Sequence, residues 1–319
     1  MQMHIHGNSM IINYLRLIRW PNLLMMALVM CCLRYFLILP QFHHADIIEG
    51  STLFLFLLLI FSVLCIAGGG YVINDILDQE IDAVNHPEKQ LIGKLIDEKT
   101  AKLFYVGLTS VGVATGIYLA SVASSLYLGL VFPAMAALLY YYSRRYKRQL
   151  ISGNIVVSFA SAMVLIVVWN FEIFLLDLEN AQLAENIAII PFISKFIYAY
   201  TVFAFFSSLI RELVKDVEDI EGDEAENCAT IPILMGISVS KWITVVLLLI
   251  LIIMVGYWQY WLWFNGLQYA SGFLIITQIL ILFTINKLFV RQIIWHKISY
   301  FLKIMMLTGI TSIIFLNFK

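Results

Sequence analysis

Apolar residues fill long stretches of this chain, and polar residues gather in the short breaks between them. A helix needs about 20 mostly apolar residues to cross the hydrocarbon layer of a bilayer. Nine stretches meet that requirement: residues 22–40, 52–73, 103–123, 126–142, 155–176, 190–210, 243–262, 268–286 and 298–317. The fourth is short, and a tight turn at Ser124 and Ser125 joins it to the third. The pattern predicts an all-α polytopic membrane protein, a bundle of nine transmembrane helices forming a single domain over residues 1–319. Two longer polar segments, about 74–102 and 211–242, are expected as loops on one side of the membrane.

Composition agrees with that reading. The 319 residues are 61% hydrophobic and 13% charged, whereas soluble domains are roughly half apolar and about a quarter charged. A net charge of −1 carries no basic bias toward nucleic acid, so the expected partner is the lipid bilayer. Cys31, Cys32, Cys65 and Cys228 have no CxxC spacing and read as packing residues. The N-terminal 20 residues lack the short apolar core and small-residue cleavage site of a signal peptide, so the first span is expected to direct insertion.

The basic residues orient the bundle. Of the 20 Lys and Arg residues, 17 fall on the side that carries the two long polar segments, leaving Arg34, Lys195 and Lys319 for the other. Positive charge concentrates in cytoplasmic loops. The expectation is an integral protein of the inner (cytoplasmic) membrane, with its N-terminus cytoplasmic and its C-terminus outside. Arg34, near the outer end of the first span, is expected to snorkel toward water.

Carboxylates stand where two of the spans end. Asp75, Asp78 and Asp82 follow the second span, and Asp216, Asp219 and Asp223 follow the sixth. Each set has the spacing i, i+3, i+7, which lines one face of a helix. The recurrence four spans later reads as a parallel duplication, spans 1–4 and 5–8, with span 9 added. A single acidic helix end needs no special role, since charge at a membrane surface is ordinary. Two sets at one spacing are different. Converging carboxylate faces repel unless cations lie between them. Oxygen donors without thiolates or clustered imidazoles suit Mg²⁺, which binds one or two carboxylates together with a substrate's phosphates. The six aspartates are therefore candidate metal ligands and catalytic residues. Asn74, Lys89, Lys94, Arg145, Lys147, Arg211 and Lys215 are candidates for the diphosphate oxygens.

At this point a family resemblance enters. "GGYVINDILDQEIDAVNHPEK" resembles the first aspartate-rich signature of the UbiA superfamily of intramembrane prenyltransferases, and "RELVKDVEDIEGDEAENCATIPI" resembles the second. The form of the second motif is most similar to the branch that contains digeranylgeranylglyceryl phosphate synthase. The resemblance implies Mg²⁺-dependent transfer of a polyprenyl group from an allylic diphosphate to a lipophilic acceptor, here a prenylglycerol phosphate lipid. Prenylation of an aromatic ring in quinone synthesis is the alternative acceptor chemistry. An ion-coupled transporter is the alternative of another class, but it would place its carboxylates near mid-membrane on broken helices. The resemblance also implies that Asn22, in "RLIRWPN", faces a prenyl chamber, with Tyr71 and Tyr142 as aromatic neighbours of the developing cation. Two departures stand out. Lys89 lies where the family often has Arg, which keeps the charge and loses the bidentate fork, and Ala229 lies where a basic residue is common. The "GGG" at 68–70 is expected to allow close helix approach beside the site.

Overall fold

The computed structural model describes residues 2–85, 87, 88, 90–176 and 187–317. Among these residues there are helices and no β-strand. Among the described residues, nine helices are long and apolar enough to cross a membrane. The first span begins with α2 (Trp20–Leu33), passes through a π-helical turn (Arg34–Ile38) and ends in α3 (Leu39–His44). The others are α4 (Leu53–Leu77), α6 (Glu98–Val122), α7 (Leu126–Arg144), α8 (Ser152–Phe174), α9 (Ile189–Glu218), α12 (Ile237–Phe264), α13 (Gln268–Leu288) and α14 (Trp295–Thr311), the last continued by a 3₁₀ turn to Asn317. All nine predicted spans are present. Ser125 accepts from the Leu128 amide to cap α7, and Ser124 before it takes a left-handed turn, φ 49°.

The N-terminal stretch before the first span is a helix, α1 (Gln2–Leu17), and two expectations change further along the chain. It is too short and too mixed to register as a span. Leu17 is fully buried and Tyr14 meets Phe104 edge-on at 4.9 Å, while Met10, Ile11 and Leu15 are exposed. The two polar segments are not open loops. The spans α4 and α9 run on into them, and short helices follow: α5 (Gln79–Asn85) in the first, α10 (Ile220–Ala225) and α11 (Ile231–Met235) in the second. Finally, Arg34 does not snorkel. It is 1% exposed, donating to Glu49 at 2.9 Å and to the Ser51 carbonyl at 2.7 Å, with Glu172 at 3.5 Å. Two carboxylates supply inside the protein what water would have supplied outside.

The chain forms two compact units, and one of the divisions, at 156/157, falls close to the expected boundary between spans 4 and 5. One comprises residues 1–27, 53–156 and 221–229, the other residues 28–52, 157–220 and 230–319. In the first, α4 packs against α6 and α7. A Cβ on Gly69 would lie 2.4 Å from the Thr109 hydroxyl, and one on Gly70 would lie 2.8 Å from Leu139. Only glycine permits that approach, as the "GGG" run suggested. Beside this contact, Leu17, Val72, Ile73, Ile76, Ile92 and Ile96 form a buried apolar cluster, which seats the end of α4 firmly. In the second unit α9 packs on α12 and α14, and α13 on both α12 and α14. Trp258 and Trp261 of α12 stack at 4.9 Å, with Phe196 of α9 edge-on to both.

Candidate active site

The first aspartate set straddles a helix break. Asp75 lies in the last turn of α4, Asp78 between α4 and α5, and Asp82 inside α5. The Asp78 amide still donates to the Asn74 carbonyl at 2.9 Å and the Asp82 amide to the Asp78 carbonyl at 2.8 Å. The i→i−4 pattern thus carries across the break and preserves the helical spacing of the three side chains. Each carboxylate meets a different neighbour. Asp75 accepts from Arg19 at 2.8 Å. Buried Asp78 accepts from Asn74 Nδ2 at 2.6 Å and forms an ion pair with Lys147. Lys147 comes from the 3₁₀ turn Tyr146–Arg148 that follows α7.

Asp223, the last aspartate of the second set, belongs to this same unit. It is buried in α10, and three backbone contacts fix its place. The Gly222 amide donates to Asn85 Oδ1 of α5 at 2.7 Å. The Cys228 amide donates to the Asp223 carbonyl, and the Ala229 amide to the Arg148 carbonyl, both at 2.9 Å. Asn227 turns the chain between them in the left-handed region, φ 55°. A Cβ at position 222 would stand 2.5 Å from Asn85, which gives the glycine of "EGD" a packing reason. Lys147 consequently lies in the field of Asp78, Asp223 and Asp82.

The electrostatics follow from that crowding. Burial pushes the Asp82 carboxyl above its ordinary range, and negative Asp75 and Asp78 add to the rise, against the pull of Lys147 and Arg19. Burial alone would lower Lys147, but Asp78, with Asp223 and Asp82, outweighs it and holds the ammonium above its usual value. Burial likewise works against the Arg19 charge, and Asp75 more than offsets it. The Cys228 thiol is raised to about 11 by burial and by Asp223, so it is no thiolate.

Asp216 and Asp219 lie in the second unit, Asp216 in the last turn of α9 and Asp219 at its C-cap. There Lys215 stands 4.0 Å from Asp219, and Arg211 donates to Glu212 at 2.8 Å. Of the other predicted contacts, Lys94 donates to the Pro87 carbonyl at 2.7 Å. Arg145 is exposed at the C-cap of α7. Lys89 lies outside the described residues. Asn22 donates to the Tyr71 hydroxyl at 3.3 Å, and Tyr142 is half-buried.

Arg19 is the residue that sequence reasoning assigned only to orientation. It holds Asp75, stacks over the Tyr71 ring at 5.0 Å and adopts a left-handed backbone, φ 52°. That conformation is uncommon outside glycine, and no periodicity in the sequence announces it.

Among the described residues no three acidic, His or Cys side chains already close on one point. Magnesium does not need such a cage, because it fills its shell with substrate phosphate and water. The Asn74 side-chain oxygen is buried and makes no hydrogen bond. The amide nitrogen of the same side chain donates to Asp78, so the motif offers hard oxygen ligands and an unsatisfied one among them. The residues fit Mg²⁺.

The sequence profile of the UbiA prenyltransferase family matches residues 27–289. The chain is 33% identical over 227 residues to a digeranylgeranylglyceryl phosphate synthase of Sulfolobus acidocaldarius, covering 71% of this chain and 74% of that protein. It is 30% identical over 247 residues to the enzyme of the same name from Saccharolobus solfataricus, covering 77% and 79%. Its fold is similar to that of a solved digeranylgeranylglyceryl phosphate synthase, with a TM-score of 0.64 at 24% identity over 96% of this chain and 98% of the other. It is similar as well to a UbiA homolog from Archaeoglobus fulgidus bound to DMAPP and Mg²⁺, with a TM-score of 0.55 at 18% identity over 94% and 99%.

Proposed function

This chain belongs to the UbiA prenyltransferase family, and we propose that it transfers a polyprenyl group from an allylic diphosphate to the hydroxyl of a prenylglycerol phosphate lipid. The observation that carries the proposal is the meeting of Asp78 and Lys147 in the field of Asp223. One residue of each aspartate motif thereby shares a cation within one unit. The names of the relatives support the acceptor class.

In this reading the C1–O bond of the donor breaks, diphosphate leaves with the electron pair, and the acceptor oxygen bonds to C1 and loses its proton. Mg²⁺, when bound, supplies positive charge to the departing diphosphate. Asp75, Asp78, Asp82, Asp216, Asp219 and Asp223 are the proposed ligands, with Asn74 beside them. Lys147 is the best-supported diphosphate contact, since a buried ammonium among carboxylates is oriented before substrate arrives. Arg145, Lys89, Arg211 and Lys215 are proposed as further contacts. Arg19 and Asn22 hold Tyr71 between them, and that ring, with Tyr142, is proposed to face the allylic cation. The surrounding membrane helices keep water from the cation. The motif side is proposed to be cytoplasmic, on the strength of the Lys and Arg bias.

The test is mass spectrometry of products made by purified enzyme from mixed prenyl diphosphates, with a prenylglycerol phosphate, hydroxybenzoate and a naphthoate all offered as acceptors. A prenyl ether of the glycerol lipid is the expected product. Transfer to the aromatic acids alone would overturn the acceptor.

A further inference from the structure

Helix α1 takes no part in the catalytic reading, and its three sides differ. Tyr14 and Leu17, three residues apart, face the protein. Tyr14 meets Phe104 of α6, and Leu17 is buried in one cluster with Val72, Ile73 and Ile76 of α4. Ile11, Ile12 and Leu15 are exposed. At about 100° per residue they gather on a second side, roughly a third of a turn from the first. Asn13 and Arg16 share the third side. The sequence has no carboxylate before Asp46, so α1 carries no negative side chain.

Depth identifies what covers the exposed apolar side. Phe104 stands at the start of the apolar run of α6, just past Asp97, Glu98, Lys99 and Lys102. Val72, Ile73 and Ile76 lie in the last turns of α4, beside Asp75. These contacts hold α1 at the level where two spans leave the hydrocarbon on the motif side. Only Ile18 and Arg19 separate α1 from Trp20, where the first span begins, and the left-handed Arg19 backbone breaks the helix there. α1 does not itself cross, because His4, His6, Asn8 and Ser9 make its first half polar. A helix with one apolar side and arginine on a polar side suits the boundary between headgroups and acyl chains, where such helices sink about 5–10 Å. Exposed Trp20 suits the same level. We infer that α1 lies in the plane of the motif-side leaflet, with Ile11, Ile12 and Leu15 in lipid and Asn13 and Arg16 among the headgroups, and that this seating sets the height of Arg19. Arg19 stands two residues beyond α1 and pairs with Asp75, so the bilayer surface positions a cation of the first aspartate set.

The test is electron paramagnetic resonance of the full-length protein in lipid nanodiscs. Spin labels are attached singly at Ile11→Cys, Ile12→Cys, Leu15→Cys, Asn13→Cys and Arg16→Cys, each combined with Cys31→Ser to remove the half-buried native thiol. Labels at the three apolar positions should collide mainly with dissolved oxygen, which concentrates in lipid. Labels at positions 13 and 16 should collide mainly with a water-soluble nickel chelate. Nickel dominance at all five would put α1 in water, and oxygen dominance at all five would sink it wholly in the bilayer; either overturns the inference. A second arm tests the link to Arg19 and rests on the prenyl-transfer reading. Ile11→Asp combined with Leu15→Asp should turn the label at position 12 from oxygen to nickel. Diphosphate release by that variant should fall about tenfold or more, because a small misplacement of a positioning group is costly in rate. Ile11→Leu combined with Leu15→Met should keep the wild-type rate, and thermal unfolding checks that each variant is folded. An unchanged rate in the displaced variant overturns the link to Arg19. The labels read depth without substrate, so failure of the prenyl-transfer reading would leave the depth result standing.

Discussion

At Asp82 three carboxylates are held together against their own repulsion. A carboxyl whose folded-state pKa is raised binds its proton more tightly folded than unfolded. Between the ordinary carboxylate value and the raised one, the unfolded state holds fewer protons, so stability falls as pH rises. For Asp82 the causes are burial and then Asp75 and Asp78. Asp82→Asn removes this penalty. In EDTA the variant should melt at a higher temperature than wild type at pH 7.5, and the gain should shrink as the pH is lowered through the Asp82 range. Mg²⁺ should then stabilise wild type more than the variant, because the charge that destabilises the folded protein is the charge the metal uses. Scanning fluorimetry across pH, with and without Mg²⁺, reads both effects. A variant no more stable than wild type at pH 7.5 in EDTA sinks the account. The carboxylates themselves were legible in the sequence, because their spacing repeats. Their cations were less so. Lys147 stood in a list of seven candidates with nothing to single it out, and Arg19 reaches Asp75 only through a left-handed turn. Arg34 was misread for the same reason: whether a cation near a helix end finds water or a carboxylate depends on contacts distant in sequence, here Glu172.

At the scale of elements, spans were legible because hydrocarbon imposes length and composition on them. What lies between spans was not, because it is held by single hydrogen bonds. The bond from the Gly222 amide to Asn85 ties α10 to α5, and it explains why residues 221–229 pack with the first unit. Gly222→Ala would press a methyl against the Asn85 side chain, which can swing away only by giving up that bond. Leaving a buried amide without its acceptor costs about 1–3 kcal/mol. The expected result is roughly a tenfold or greater loss of diphosphate release, with the fold kept. Asn85→Ala should lose about as much, and the double variant little more than either, since all three break one contact. Wild-type activity in Asn85→Ala would separate that contact from catalysis. The apolar cluster under α4 should confine the damage to the short helices.

For the whole molecule, orientation and catalysis give two separate tests. The bias of 17 basic residues in 20 toward the motif side predicts that this side is cytoplasmic. Cysteines placed at exposed Glu80 and Glu221 should resist an impermeant thiol reagent in intact cells and react once the membrane is permeabilised. Labelling of either in intact cells reverses the topology. The native cysteines interfere little, since Cys32, Cys65 and Cys228 are buried and Cys31 is half-buried.

The second test asks whether motifs distant in sequence act as one device. Asp78 and Asp223 come from different aspartate sets, 145 residues apart, yet both lie in the first unit and both act on Lys147. Asp78→Asn removes a charge and a hard ligand with almost no change of volume, and so does Asp223→Asn. If each carboxylate helps to hold the same Mg²⁺–diphosphate, each single loss should slow diphosphate release by roughly a hundredfold or more, several kcal/mol of transition-state stabilisation. Groups that act as a unit are strongly non-additive. The double variant should therefore be little slower than either single one, and extra Mg²⁺ should restore the single variants only in part, because added metal cannot replace a lost ligand. Steady-state diphosphate release over a Mg²⁺ titration, for wild type, both singles and the double, measures the coupling, with gel filtration to confirm folding. Losses that multiply would mean that Asp78 and Asp223 serve separate steps. Near-wild-type rates in either single variant would return that aspartate to the ordinary role of a charged helix end at the membrane surface.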